Sequence, residues 1–249
     1  MKPILNKNHF NAKTSLLRSG WILDLDGTLI SMSVPIEAVR RQVSTLFQDY
    51  GVSFPFRPLL PQIDSACAML ALSQSSFQVL ELKRKAFQII RTAEIAAAEK
   101  AKPCDGALEF ITEIRDCPVV IVTNNDLKAA ELGLENCAVR PTNLLTIIGR
   151  DLDHPTKPHP WPIIQAAQWI LSISKKPNKI YCVGDGVVDI GAAQAAASEL
   201  PLAGSQLFTI GIAFSPEHEK QLQAVKPDWI VDSLREIIPL LENTITGTS

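Results

Sequence analysis

Residues 21–29 read WILDLDGTL, an apolar run that ends in two acidic residues and a glycine. A nearly continuous apolar run of this kind predicts a β-strand that is covered on both faces. Asp24 and Asp26 would then lie where the strand ends, at the edge of the sheet where α/β proteins bind ligands. Two acids held together there need a cation or a shared proton to relieve their repulsion. Gly27 lets the backbone turn sharply directly behind them.

Similar apolar runs recur along the chain, and helical patterns separate several of them. The five predicted strands are Trp21–Leu25, Val119–Thr123, Ile180–Val183, Leu207–Ile212 and Trp229–Val231. The helical patterns cover Gly106–Arg115, Asp126–Leu134, Trp161–Ser172, Ile190–Ala197 and Leu234–Glu242. Because strands that alternate with helices are joined by right-handed crossovers into parallel sheets, the sequence predicts an α/β fold with a doubly wound parallel sheet.

The interval between the first two predicted strands breaks this alternation. Apolar residues follow helical spacing from Ile36 to Tyr50 and again from Leu80 to Ala97, and a proline-rich stretch, Phe54–Pro61, lies between them. An interval of about 70 residues is far longer than an ordinary crossover. We therefore predict an inserted α-helical domain at 32–102, with a core formed by 1–31 and 103–249.

Composition excludes several classes of protein. The 249 residues are 46% hydrophobic and 20% charged, which is typical of a globular chain rather than a disordered one. The net charge of −2 shows none of the basic surplus that phosphate contacts to nucleic acid require, so no nucleic-acid partner is expected. No stretch approaches the ~18 apolar residues of a membrane span. Five scattered cysteines are typical of reduced thiols, and we expect a cytoplasmic protein whose oligomeric state the sequence leaves open.

Three further polar motifs each follow a predicted strand or precede a predicted helix. The second strand runs into TNN at 123–125, which offers a hydroxyl and backbone amides that could face a phosphoryl oxygen. Lys157 lies in TKPHP at 156–160, directly before a helical pattern, and the third strand runs into GDGVVD at 184–189. Each motif alone is ordinary turn chemistry or a surface charge. Together they predict a hydroxyl, an ammonium group and four carboxylates at one edge of the sheet.

The four motifs, in this order, resemble the signatures of the haloacid dehalogenase-like superfamily, in its phosphatase branch and especially its phosphoglycolate-phosphatase-like members. The resemblance covers essentially 20–242, and the helical insertion directly after the first motif is similar to that family's cap placement. It implies a Rossmann-like core with a helical cap. It also implies a Mg²⁺-dependent phosphatase that hydrolyses small-molecule phosphate monoesters, of the phosphoglycolate or sugar phosphate type, through an aspartyl-phosphate intermediate.

The resemblance assigns the reacting groups to two acidic residues. Asp24 matches the nucleophile that attacks phosphorus. Asp26 matches the general acid that protonates the departing alcohol and then the base for the attacking water. The dehalogenase branch lacks an acid at the position of Asp26 and the transport ATPases carry Thr there. This residue therefore favours a phosphatase or a phosphomutase.

The remaining motif residues are assigned to binding. Thr123 and the backbone N–H of Asn124 would hold phosphoryl oxygens, and Lys157 would offset the charge on the nucleophile and the phosphate. The resemblance implies that Mg²⁺, which prefers oxygen ligands, is bound by Asp24, the backbone carbonyl of Asp26, and Asp185. Asp189 would orient Lys157 or a metal-bound water. The only partner implied is a small-molecule phosphate ester.

Two alternatives to a phosphatase stay open. A phosphomutase of sugar phosphates would use the same core with cap groups that keep water away from the aspartyl-phosphate. A non-catalytic binding protein that retains the fold would usually have lost a charged site residue, whereas Asp24, Asp26, Lys157, Asp185 and Asp189 are all present.

Overall fold

The computed structural model describes residues 19–173, 177–199 and 204–240. The strands in this part of the chain are β1 (Ser19–Leu23), β2 (Ile30–Ser31), β3 (Lys102–Pro103), β4 (Val119–Asp126), β5 (Leu144–Arg150), β6 (Lys179–Gly184), β7 (Gln206–Ile212) and β8 (Trp229–Val231). The helices are α1 (Ile36–Gln48), α2 (Leu59–Leu70), α3 (Ser76–Ala98), α4 (Ala107–Glu113), α5 (Leu127–Asn136), α6 (Trp161–Ser172), α7 (Val187–Glu199) and α8 (Pro216–Val225). Residues 1–18 and 241–249, which the sequence analysis assigns to the core, lie outside the described residues.

Six strands form one parallel sheet in the order β5-β4-β1-β6-β7-β8. The chain adds β4 and then β5 on one side of β1, crosses to β6 on the other side, and continues outward to β8. The direction of winding therefore reverses around β1, and the carboxyl ends of β1 and its neighbours form the crevice where such sheets bind ligands. This topology confirms the predicted α/β fold with a doubly wound, Rossmann-like sheet.

Alternating residues of the central strands pack on opposite faces of the sheet. Trp21 and Leu23 of β1 belong to one apolar cluster, while Ile22 belongs to another on the other face. All three side chains are almost completely buried. Burial on both faces explains why these strands read as continuous apolar runs, and it leaves the strand ends as the place where polar side chains reach the surface.

Helices α1, α2 and α3 form the insertion, and they share an apolar cluster of their own that includes Val43, Phe47 and Ile63. The 23-residue helix α3 begins with a capping box between Ser75 and Gln78. Its first half joins the cluster of the insertion, whereas Ala97 and Ala98 at its end join the main core cluster. The antiparallel pair β2–β3 sets the start and the end of the insertion side by side. The boundaries at 32 and 102 stay a prediction.

The structure contains elements that the sequence analysis does not predict. Strand β5 lies at the edge of the sheet and is only partly buried along most of its length, although residues 144–148 read LLTII, an apolar run like those of the predicted strands. Helix α2 begins directly after Pro58 and holds Pro61 in its first turn, where a missing amide breaks no helical hydrogen bond. Helix α8 buries only Leu222 and so lacks an apolar periodicity. The predicted helix Leu234–Glu242 begins as a 3₁₀ turn at Leu234–Glu236.

None of the helices within the described ranges is both long enough and apolar enough to cross a membrane.

Candidate active site

The predicted site residues meet at the carboxyl ends of β1, β4 and β6. Asp24 directly follows β1, and its backbone N–H donates to the carbonyl of Val183 at 2.9 Å, which keeps it beside β6. Thr123 and Asn124 lie within the last residues of β4, and Asp185 directly follows β6. The parallel register of the three central strands therefore brings together segments that are far apart in the sequence.

Lys157 lies at the centre of this group, and only 3% of its surface is exposed. Its Nζ atom is 2.6 Å from Oδ1 of Asp24 and 2.6 Å from Oδ1 of Asp189, and it donates to the carbonyl of Val122 at 2.7 Å. Three acceptors use all three donors of the ammonium group. Burial alone would lower the pKa of Lys157, but Asp189 and Asp24 outweigh that effect and raise it, so the group stays charged at neutral pH.

The side chain of Asn124 holds the segment that carries Lys157. Its Nδ2 donates to the carbonyl of Lys157 at 2.9 Å, and its Oδ1 accepts from the N–H of Lys157 at 2.9 Å. The sequence analysis assigns a role only to the backbone N–H of Asn124. The structure adds that the side chain of the same residue fixes the backbone of Lys157.

Thr123 is buried, with 4% of its surface exposed. It begins the irregular end of β4, residues 123–126, where the register against β5 shifts, and this segment is called the TNN turn. Oγ1 of Thr123 accepts from the N–H of Asn125 at 3.2 Å. This bond uses a lone pair of the oxygen and leaves the hydroxyl hydrogen for another acceptor. The geometry is therefore compatible with the predicted contact between Thr123 and a phosphoryl oxygen, which stays a prediction.

Asp26 faces the start of the insertion. Its Oδ1 accepts from the backbone N–H of Met32 at 2.7 Å. Burial raises the pKa of the Asp26 carboxyl to about 6; the bond from Met32 lowers it and the charge of Glu94 raises it further. A carboxyl with a pKa near the working pH can both give and take a proton, as the predicted acid and base role requires.

Three carboxylates crowd one point of the site. Asp24, Asp185 and Asp189 each place one oxygen within 4.8 Å of the others. Burial, together with the charges of Asp24 and Asp189, raises the pKa of Asp185 to about 8. Carboxylates that crowd together in this way form a set that a cation would stabilise, and their hard oxygen donors fit Mg²⁺.

Asp189 belongs to this group, but each of its two carboxylate oxygens already has a partner in the protein. Oδ1 contacts Lys157, and Oδ2 accepts from the N–H of Gly186 at 2.8 Å. These contacts favour the predicted orienting role of Asp189 over direct metal binding. Metal binding by the backbone carbonyl of Asp26 stays a prediction.

Gly27 brings the first motif into close contact with the loop after β6. It has φ +92°, and a Cβ atom built there would lie 2.6 Å from Cγ of Asp185. Gly51 has a similar φ of +77°, but a Cβ atom there would meet nothing within 4 Å. Alanine at both positions would lose stability through the left-handed conformation, but only alanine at position 27 would also clash with a neighbour. Comparing the two variants therefore separates these two contributions.

Gly27→Ala is expected to lower the free energy of unfolding more than Gly51→Ala does. The left-handed conformation costs both variants about 1–2 kcal/mol, and the clash with Asp185 adds about 1–3 kcal/mol to the first. Chemical denaturation of the two variants measures the difference. Equal losses of unfolding free energy would show that the loop of Asp185 can move away without cost and does not need a glycine at position 27.

Three residues that the sequence analysis does not assign to the site contact it. His218 accepts from the N–H of Phe214 through Nδ1 at 3.3 Å, so Nε2 carries the hydrogen and donates to the carbonyl of Asp185 at 2.9 Å. Glu94 and Arg150 form a buried ion pair beside the TNN turn. All three lie tens of residues from the motif that they contact, and no local pattern marks them.

Solved structures share this architecture at low sequence identity. A haloacid dehalogenase-like family hydrolase from Streptococcus pneumoniae is 20% identical, with a TM-score of 0.55 over 89% of this chain and 97% of that one. A predicted phosphoglycolate phosphatase from Haemophilus somnus is 19% identical, with a TM-score of 0.55 over 89% of this chain and 96% of that one. These likenesses show the fold.

Sequence comparison goes further than the fold. Pyrophosphatase PpaX of Bacillus thuringiensis is 24% identical over 226 residues, which cover 89% of this chain and 95% of that protein. The family model of haloacid dehalogenase-like hydrolases matches residues 20–197, a range that contains all four motifs. The chain therefore belongs to the haloacid dehalogenase-like hydrolase family.

Proposed function

We propose that this protein is a Mg²⁺-dependent phosphatase that hydrolyses small-molecule phosphate monoesters, of the phosphoglycolate or sugar phosphate type, through an aspartyl-phosphate intermediate. The observation that carries the proposal is the contact of Lys157 with Asp24 at 2.6 Å, inside a group of three carboxylates. An acidic side chain that is buried beside a permanent cation and a set of metal-type oxygens suits attack on an anionic phosphoryl group.

Asp24 and Asp26 would carry the bond changes. A carboxylate oxygen of Asp24 bonds to phosphorus while the bond from phosphorus to the alcohol oxygen breaks, and Asp26 gives its proton to that oxygen. Asp26 then takes a proton from water as the water oxygen attacks the phosphorus. The bond between phosphorus and Asp24 breaks, and inorganic phosphate leaves.

Residues from four separate segments of the chain would balance the charge. Thr123 and the N–H of Asn124 would donate to the phosphoryl oxygens, and Lys157 would offset the negative charge of Asp24 and of the phosphoryl group. Asp24, the backbone carbonyl of Asp26, and Asp185 would hold Mg²⁺. The ion supplies the remaining neutralisation that an anionic nucleophile needs to approach an anionic substrate.

The insertion would act as a cap over this site. Its helices share an apolar cluster, and strand β2, which directly precedes it, begins only a few residues after Asp26. Closure of such a lid excludes bulk water and adds contacts that select the substrate. We assign residues 32–102 to this cap, and the remaining residues to the catalytic core. Because five scattered cysteines are typical of reduced thiols, we place the activity in the cytoplasm.

Release of phosphate from a panel of metabolite phosphates tests this proposal. The panel includes the esters phosphoglycolate and sugar phosphates, and also the anhydride pyrophosphate, since the relative PpaX is a pyrophosphatase. We expect at least one of the esters to release phosphate with Mg²⁺ present. EDTA should lower the rate at least a hundred-fold, and added Mg²⁺ should restore it.

Three results would contradict the proposal. Turnover that does not change with EDTA would remove the metal assignment, and absence of release across the panel would favour a binding protein that retains the fold. A sugar phosphate that is isomerised rather than hydrolysed would identify the enzyme as a phosphomutase.

A further inference from the structure

A buried ion pair joins the insertion to the core beside the site. Glu94 in α3 and Arg150 at the end of β5 have side chains that are 6% and 2% exposed. Nη1 of Arg150 is 2.8 Å from Oε1 of Glu94, and Nη2 is 2.8 Å from Oε2. The ring of Phe87 lies 5.0 Å from the guanidinium carbon. The two charged groups therefore pair through two hydrogen bonds and are largely shielded from water.

The same ion pair holds both ends of the turn that follows Thr123. Nη1 of Arg150 also donates to the carbonyl of Asn124 at 2.7 Å. Oε2 of Glu94 also accepts from the N–H of Asp126 at 3.0 Å. Arg150 thus binds the carbonyl of Asn124 and Glu94 binds the N–H of Asp126, so that only Asn125 lies between the two bonds.

Peptide geometry carries this restraint to the hydroxyl of Thr123. In a trans peptide the carbonyl of Asn124 and the N–H of Asn125 point in opposite directions. Because Arg150 binds that carbonyl, the N–H of Asn125 points the other way and donates to Oγ1 of Thr123 at 3.2 Å. The bond occupies one lone pair of the oxygen and so restricts where the hydroxyl hydrogen can point.

Stability alone does not account for a pair of this kind. Taking two charges out of water costs about as much as their attraction returns, and well-packed apolar residues often serve as well in the same place. Here the polar atoms instead meet specific backbone groups of the turn. If Glu94 and Arg150 orient these backbone groups, this explains why two charged, forked side chains occupy the site of the ion pair.

We propose that Glu94 and Arg150 are positioning residues, which set the direction of the Thr123 hydroxyl and so the affinity of the site for a phosphoryl group. Since Glu94 lies on α3, the position in which α3 packs against the core would control this affinity. The proposal rests on the proposed function, because Thr123 would be the residue that touches the substrate. Neither Glu94 nor Arg150 would touch it.

Arg150→Lys tests the inference, since lysine keeps the charge but lacks the fork that reaches both Glu94 and Asn124. We expect KM and the inhibition constant of inorganic phosphate each to rise at least tenfold, with a smaller change in kcat. Arg40→Lys is the matched control. Arg40 also pairs with a glutamate, Glu37, and donates to a backbone carbonyl, that of Phe56 at 3.2 Å, but within the insertion. Its constants should stay within twofold of the wild type.

Amide hydrogen exchange measured by NMR gives a second readout that does not need activity. Exchange at Asn125 and Asp126 should be at least tenfold faster in Arg150→Lys than in the wild type, and unchanged in Arg40→Lys. If the lysine variant does not fold, the variant Glu94→Gln/Arg150→Met leaves no unpaired charge in the interior, and the same increase is expected of it.

The outcomes separate this inference from the function on which it rests. Unchanged exchange at both amides, or an unchanged phosphate constant in Arg150→Lys, would overturn the positioning role. If the wild type releases no phosphate from any ester, the phosphatase proposal fails. Exchange at the two amides, with ³¹P titration of inorganic phosphate binding, then still decides whether the ion pair sets the turn.

Discussion

Asp24→Asn is expected to lose turnover, on the order of 10⁴-fold or more in kcat, while the protein stays folded. A neutral amide is a poor nucleophile towards phosphorus, so the covalent intermediate would not form. The substitution keeps the shape of the side chain, and Lys157 retains its contacts with Asp189 and the carbonyl of Val122. The loss would therefore come from the chemical step and not from a collapsed site.

The stability of this variant provides a separate check. Burial raises the pKa of the Asp24 carboxyl from its ordinary value of 3.8 to about 7, against the opposing effect of Lys157. An acid whose pKa is higher in the folded chain than in the unfolded chain costs stability as the pH rises through that range. In metal-free buffer at pH 8, Asn at position 24 should leave the thermal midpoint equal to that of the wild type or above it.

Asp116→Asn is a suitable control, because Asp116 is exposed, pairs with Arg115, and lies just before β4, at the opposite end of that strand from the carboxylates. Its kcat should stay within about twofold of the wild type, as is usual for exposed surface substitutions. Intact mass spectrometry of the Asp24→Asn protein guards against reversion by deamidation. Hydrolysis at the wild-type rate by that variant would refute the covalent route.

Lys157→Met is expected to lower kcat/KM about 10³-fold and to destabilise the fold by about 3–5 kcal/mol. The ammonium group contacts Asp24 and Asp189, and its removal leaves both carboxylates buried without their cation. The pKa of Asp24 would rise further without Lys157, and Asp24 would be protonated at neutral pH. A protonated carboxyl cannot attack phosphorus, so activity and stability should fall together.

Lys83→Met controls for the loss of an ion pair as such. Lys83 contacts Asp64 at 3.0 Å within the insertion, where both side chains are partly exposed. Steady-state kinetics and thermal unfolding should place this variant close to the wild type. If Lys157→Met does not fold, Lys157→Arg keeps a cation there but as a planar fork, and should recover stability without full activity. Retention of kcat/KM within tenfold by Lys157→Met would contradict the role given to this residue.

Much of the fold could be predicted because it is encoded in short windows of sequence. The central strands are covered on both faces, so each reads as a continuous apolar run whose ends carry the polar motifs. Strand β5 carries the apolar run LLTII at 144–148 and could have been predicted in the same way, although it lies at the partly exposed edge of the sheet. The prolines around α2, in contrast, obscure a helix that tolerates them in its first turn.

The site could be predicted in part. The motifs identify Asp24, Thr123, Lys157 and Asp185 by type and order, and the structure places them at one edge of the sheet. No sequence signal marks the two hydrogen bonds between the Asn124 side chain and the backbone of Lys157, or the bond from His218 to the carbonyl of Asp185. Asn, Arg, Glu and His are common in polar segments, and their contacts depend on where distant segments pack.

The sequence by itself determined the α/β class, the presence of a helical insertion, the four motifs and the family, because apolar periodicity and motif spacing are local properties of the chain. Only the tertiary structure decided that Lys157 meets Asp24 across 133 positions, and that Glu94 meets Arg150 across 56. Each of these pairs is fixed by burial between separate elements, and burial is a property of the packed molecule rather than of any window of its sequence.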